Sequence, residues 1–170
     1  MLSFDIRAID AAAAAVDGEL SADDEVWQEG DPRPAGPVHV VGRLSTAGPG
    51  RYYFSGHIEG TATGECRRCL EPASAEVSAE SHLIFTEAGV EEADEADDAY
   101  LLEPGALEID LRPAVREEWL LTAPSLMLCR EDCKGLCANC GADLNTGPCE
   151  CAPAVDPRWD ALRTDRGASK

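Results

Sequence analysis

The 170-residue chain carries 14 Lys and Arg against 33 Asp and Glu, a net charge of −19, with eight cysteines and only three histidines. One ordinary domain with a small appendage fits this length, and an apolar share of 44% suffices for a core. Such acidity excludes a protein that coats nucleic acid with its whole surface, because phosphate repels it; contact with RNA needs a local basic face or a partner protein.

In chain order, residues 2–6 set Leu2, Phe4 and Ile6 against Ser3 and Asp5, which predicts a half-buried strand. A short helix is expected over 11–16. Residues 17–37 are acidic and rich in Pro and Gly, and read as a loop. The runs 38–44 (VHVVGRL) and 52–58 (YYFSGHI) read as strands flanking the turn Ala47-Gly48-Pro49-Gly50, with a third strand over 61–66 and another over 76–86. Residues 87–99 contain seven acidic residues and no basic one, the pattern of a solvated loop; its functional alternative is an acidic clamp for a basic protein. A helix is predicted over 109–122, capped by Asp110, with Pro113 in its first turn and Leu111, Val115 and Trp119 four residues apart. Pro124 ends it and also breaks the uncharged stretch 119–128, which is too short to span a bilayer. Asp5, Arg7 and Asp10 interrupt any apolar leader.

These elements define an α+β fold: a mainly antiparallel β-sheet or small barrel, a packed helix, and a zinc-binding C-terminal segment. The expected division is a β-rich core domain over 1–128 and a cysteine-rich segment over 129–170, whose few apolar residues cannot build a core of their own. Charge follows the same division. Residues 87–128 hold twelve acidic and two basic side chains, a net −10, whereas residues 129–170 hold seven and six, a net −1.

Without a leader, the expected compartment is a reducing cytoplasm, where clustered cysteines favour metal thiolates over disulfides or free thiols. The strongest motif is Cys137-Ala138-Asn139-Cys140-Gly141, since two thiolates two residues apart grip one ion at tetrahedral angles and the glycine turns backbone N–H groups toward sulfur. Cys149 and Cys151 fold back through Asn145-Thr146-Gly147-Pro148 to complete a first site of Cys137, Cys140, Cys149 and Cys151. Cys66, Cys69, Cys129 and Cys133 make a possible second site joining sheet to tail, although Cys66-x-x-Cys69 lacks a following glycine. Spacing also allows Cys133 to replace one member of the Cys149–Cys151 pair. Zinc is the expected cofactor, and iron–sulfur ligation is the other metal option. Arg67 and Arg68 beside Cys66 admit a thiol redox sensor as well, because cations favour thiolate.

His39, His57 and His82 fall in strands, far in sequence from the cysteines, and no phosphate loop, GxSxG or HExxH occurs. Neither an enzyme nor a small-molecule substrate is expected. Arg67 and Arg68, with Arg51, offer a local basic spot for phosphate, and Arg130, Lys134 and Arg158 lie in the most basic part of the chain.

The motifs together resemble the YceD-like family, the large-subunit ribosomal RNA accumulation proteins of bacteria and plastids. The likeness is carried by residues 64–72 (GECRRCLEP), Ile109-Asp110-Leu111 with Val115-Arg116-Glu117-Glu118, residues 128–137 (LCREDCKGLC), Cys140-Gly141, Leu144-Asn145, and Asp156-Pro157-Arg158-Trp159 with Leu162. It implies a non-enzymatic assembly factor needed for 23S ribosomal RNA to accumulate, acting by binding. Charge offers two partners compatible with that role: a large-subunit RNA precursor, met through Arg67, Arg68, Arg130, Lys134 or Arg158, or a basic large-subunit ribosomal protein held by the acidic middle, whose loop lies outside the matching blocks. Rival readings are a zinc-ribbon interaction module in transcription or quality control, and the redox sensor.

Overall fold

A computed structural model describes residues 1–89, 99–151 and Arg158. Its frame grows from two long alternating segments. In β3 (Val38–Gly48) and β4 (Arg51–Glu65) one face buries Val38, Val40, Leu44, Tyr52, Phe54, Ile58 and Ala62, while His39, Arg43 and Glu59 stay exposed on the other. The two expected strands over 52–66 are one, and Gly60 explains the difference. A Cβ there would stand 2.8 Å from Cζ3 of Trp119, so glycine lets the indole lie against the strand and does not interrupt it.

β5 (Pro72–Glu87) pairs antiparallel with β4 from Glu65↔Pro72 to Arg51↔Thr86 without a bulge. β2 (Ala14–Leu20) pairs antiparallel with β3, and β6 (Ala99–Leu102) runs parallel to β5, giving the order β2-β3-β4-β5-β6. The sheet is therefore mixed, with one parallel pair that the sequence reading lacked. A parallel neighbour needs a connection of about a dozen residues, and the acidic stretch between β5 and β6 has that length; residues 90–98 of it lie outside the described residues. No strand pair closes the sheet into a barrel among the described residues.

The first segment differs from expectation by a shift. β1 (Ser3–Asp5) is followed at once by α1 (Ile6–Ala11), where Asp5 Oδ1 accepts the N–H groups of Arg7 at 2.8 Å and Ala8 at 3.2 Å. The alanines after it enter β2, because Val16 and Leu20 alternate into the core; burial overrides alanine's helix propensity. β1 pairs with β7 (Glu108–Asp110), so the start of the expected 109–122 helix is a strand, and α2 spans Arg112–Thr122. Asp110 still serves that helix, its Oδ1 accepting the Arg112 N–H at 3.0 Å.

The stretch 21–37 is a strap across α2. Trp27 packs edge-on to Trp119, with ring centroids 6.1 Å apart, and Trp119 Nε1 donates to the Pro32 carbonyl at 2.7 Å. Arg116 grips Asp31 with two bonds of 2.7 and 2.9 Å, the carboxylate only 8% exposed. α2 thus lies between strap and sheet, with Ala114, Val115 and Trp119 buried. No helix among the described residues is long and apolar enough to cross a membrane.

The Arg116 guanidinium holds the Asp31 carboxyl below its ordinary value of 3.8. A carboxyl depressed by folding stabilises fully above its unfolded pKa, and that contribution fades as pH falls through 3.8 toward the lowered value. Asp31→Asn should therefore lower stability at pH 7 by about 2 kcal/mol and flatten the loss of stability below about pH 4. Urea unfolding from pH 7 to 3 checks this, and an unchanged acid slope would count against it.

Candidate metal centre

The turn between β4 and β5 carries the first pair of thiols. Cys66 N–H donates to Glu71 O at 2.8 Å and Leu70 N–H to Cys66 O at 2.9 Å, which closes a knuckle around Cys66-Arg67-Arg68-Cys69. The chain leaving α2 then runs beside this turn: Cys66 bridges to Met127, and Arg67 N–H donates to Met127 O at 2.9 Å. That contact delivers Cys129 and Cys133. The Arg68 guanidinium donates to Cys133 O at 2.8 Å, Leu136 N–H donates to Arg68 O at 2.9 Å, and a Cβ on Gly135 would sit 2.8 Å from that same oxygen. Backbone approaches backbone here so closely that only glycine fits.

The result is a cluster of Cys66, Cys69, Cys129 and Cys133 whose sulfurs all lie within 4.8 Å of one another. Two Sγ–Sγ separations are 3.7 Å (Cys66–Cys133) and 3.6 Å (Cys69–Cys129). A disulfide needs about 2.05 Å. Thiolates about 2.3 Å from one tetrahedral ion stand about 3.8 Å apart, so the donor set suits a single ion.

A second cluster lies further along the tail. Leu144 N–H donates to Gly135 O and Cys137 N–H to Ala142 O, forming a short ribbon with Cys137 and Cys140 at its tip. Cys149 and Cys151 fold against it, and these four sulfurs also lie within 4.8 Å of one another. Cys133 belongs to the cluster at the β4–β5 turn and leaves the Cys149–Cys151 pair intact. Two ligands of the turn cluster come from each side of the expected boundary at 128.

The two knuckles share one geometry. Gly141 N–H donates to Cys137 O at 2.8 Å, as Leu70 N–H does to Cys66 O, and both following residues are left-handed, with φ of 72° and 63°. Leu70 thus occupies the conformation usually left to glycine. Asn145 is a site residue that cysteine spacing alone misses. Its Nδ2 lies 3.6 Å from Cys133 Sγ as donor, and its Oδ1 accepts the Lys134 N–H at 2.8 Å, so a residue of the tail ribbon supports a sulfur of the turn cluster.

Backbone N–H groups set which thiol ionises first. The N–H of Cys129, with those of Arg68 and Cys69, draws the Cys66 thiol down to about 6, and the N–H of Cys140 does the same for Cys137. Removal from water pushes Cys129 up to about 12, and contact with Cys140 pushes Cys151 up to about 12. One thiolate per cluster forms readily; the full set needs a cation to offset the crowded negative charge.

Arg67, Arg68, Arg130, Lys134 and Arg158 are all exposed. The first four border the turn cluster, where Arg68 also braces the Cys133 carbonyl and Arg130 pairs with Asp132 at 3.2 Å. Arg51 does not join them. It opens β4 whereas Arg67 follows its end, about 45 Å away along an extended strand of 15 residues. The histidines stand apart from the sulfurs. His82 Nδ1 meets Tyr53 Oη at 2.8 Å, and both Glu59 and Ser78 approach Nε2 of His57 at 3.0 Å. Since one nitrogen serves both, this trio lacks the two-ended relay of a nucleophile, base and acid.

A β-sheet protein with two four-cysteine clusters along one flank of its chain is the class these observations define. Within that class the chain belongs to the YceD family: residues 54–164 match the family described as large ribosomal RNA subunit accumulation protein YceD. An uncharacterized protein of Mycobacterium tuberculosis is 31% identical over 110 residues, covering 64% of this chain and 52% of the relative. A maize chloroplastic protein, the large ribosomal RNA subunit accumulation protein YCED homolog 1, is 30% identical over 149 residues, covering 71% and 50%. Its Arabidopsis thaliana namesake is 27% identical over 124 residues, covering 58% and 39%. The chain thus spans about half the length of the mycobacterial and maize relatives it matches. No solved structure matches it.

The positive φ at Leu70 gives a direct test of the knuckle. Leu70→Val should destabilise by about 1 kcal/mol, since β-branching penalises this region, whereas Leu70→Gly should be neutral or stabilising. Thermal unfolding of the three proteins distinguishes them, and a valine variant as stable as the parent would deny the geometry.

Proposed function

We propose that this chain is a non-enzymatic, cytoplasmic assembly factor that promotes accumulation of large-subunit (23S) ribosomal RNA by binding. The observation that carries the reading is the family match over residues 54–164, joined to plant relatives whose names state large ribosomal RNA subunit accumulation. Its partner is a large-subunit RNA precursor or a basic large-subunit ribosomal protein. The first is supported by Arg67, Arg68, Arg130 and Lys134 gathered around the turn cluster, and the second by the net −10 of residues 87–128.

Zinc fills both clusters in this reading. Eight sulfur donors in two sets of four suit a tetrahedral ion without redox chemistry. An iron–sulfur cluster instead spreads its thiolates over several irons, wider than two ligands of one ion. Cys66 and Cys69 hold the ion to the sheet, Cys129 and Cys133 hold it to the tail, and Asn145 orients a sulfur. The bound ion supplies folding free energy and keeps the thiols from oxidation.

Elemental analysis of the purified protein should give two zinc per chain, and Cys133→Ser should reduce it to one while making the tail protease-sensitive. Stoichiometric iron, or no metal at all, overturns the zinc assignment. In a bacterial host deleted for its own relative, the ratio of 23S to 16S RNA should fall and be restored by this chain. A ratio that the chain leaves unchanged overturns the assembly role.

A further inference from the structure

The long strand β5 is unequally covered. β4 pairs with fifteen of its sixteen residues, Pro72–Thr86, but β6 covers only Ile84–Glu87 on the other side. Over residues 72–83 that side has no strand beside it among the described residues. Natural sheet edges are usually blunted by lysines, bulges or internal prolines. This one has none of them: its register is unbroken, Pro72 stands only at its first position, and neither β5 nor β6 contains Lys or Arg.

Where β6 stops, a groove of ≈ 760 Å³ opens between the β5 edge and α2. Leu83, Tyr100, Leu101, Glu117, Glu118 and Leu121 line it. Leu101 and Leu121 are 67% and 81% exposed, large apolar side chains that serve no core. The two carboxylates are fixed in place: Ser81 Oγ donates to Glu118 Oε2 at 3.0 Å, and Tyr100 Oη to Glu117 Oε2 at 2.7 Å. On the opposite face of the same strand Glu76 and Glu80 are exposed.

We propose that this edge and groove receive an extended, lysine- or arginine-rich segment of a partner protein, added as a strand beside β5. The proposal rests on the reading that the chain acts by binding, and names the partner chemistry. Backbone groups of β5 provide the ladder. Side chains of an added strand alternate between faces, so one set meets Glu117, Glu118 and Leu121 and the other meets Glu76 and Glu80. The occupant is thus basic on both faces and apolar at intervals. The same charge that attracts it repels RNA phosphate, which assigns RNA to another surface.

Fluorescence anisotropy on the zinc-loaded full chain, with a labelled eight-residue probe alternating Arg or Lys with Val or Thr, tests this. Micromolar binding is expected. The double variant Leu101→Lys/Leu121→Lys, whose sites are exposed enough to spare the fold, should weaken it at least tenfold, as should Glu80→Lys. A probe of identical sequence N-methylated at alternate amides should lose at least tenfold too. Binding untouched by the variants overturns the groove, equal binding of the methylated probe overturns strand addition, and equally tight direct binding of a labelled single-stranded RNA that the Leu101→Lys/Leu121→Lys and Glu80→Lys variants alter overturns the partner class. Absent probe binding in a chain that still restores 23S RNA removes this proposal alone; intact probe binding in a chain that fails to restore it removes the assembly role alone.

Discussion

The constraint on which the rest depends is the meeting of four sulfurs from two distant parts of the chain. Cys66 and Cys133 are 67 residues apart in sequence, and Cys69 and Cys129 are 60, yet each pair of sulfurs lies within 3.7 Å. The sheet side of this junction is rigid, because the β4–β5 ladder runs unbroken into the knuckle. The other side has little of its own. Past Leu128, Cys133 is the one buried apolar side chain among the described residues. Structural zinc contributes an apparent 10–16 kcal/mol or so, against a total of roughly 5–15 kcal/mol for an ordinary domain. A metal bound at this junction would outweigh any packing the tail achieves alone, and the tail's path would then depend on it.

That junction also orders the charge. It gathers Arg67, Arg68, Arg130 and Lys134 beside the turn where β4 ends and β5 begins, whereas Glu117 and Glu118 of α2 meet Tyr100 and Ser81, nearer the other end of β5. A net −19 read as one number describes a protein hostile to RNA. Divided along the chain it separates a strongly acidic stretch, residues 87–128, from a nearly neutral cysteine-rich one, residues 129–170. In space, the fifteen residues of β4 hold Arg51 and Arg67 apart.

Much of this was legible in the sequence where the signal is local. Cysteine spacing marked the eight donors and grouped all but Cys133 unambiguously, and alternation gave the central strands. What escaped was decided at a distance. The gap expected between the strands 52–58 and 61–66 is absent because Gly60 makes room for the indole of Trp119, some sixty residues later. Ala14 and Ala15 looked helical because their strand partners, Leu44 and Arg43, come later in the chain. The parallel β6 has no pattern of its own beyond four residues, and its place is set by β5. Cys133 had two admissible quartets by spacing alone, and the Arg68 guanidinium on its carbonyl belongs to the contacts that settle which one it joins.

The knuckles show how one geometry is reached by two sequences. After Cys140 the chain uses Gly141, whose φ of 72° costs nothing, and after Cys69 it uses Leu70 at 63°. A leucine there is strained by about a kilocalorie or more and, at 61% exposed, recovers little by burial. Something must enforce it, and the surroundings do: the Leu70 N–H is committed to Cys66 O, the Cys66 N–H to Glu71 O, and both lie in a turn whose sulfurs face Cys129 and Cys133. The same over-determination extends to the second cluster through Asn145, which sits in the tail ribbon but donates to a sulfur of the first. The two clusters are thus parts of one mechanical unit, in which the order of the tail ribbon and the order of the sheet turn support each other.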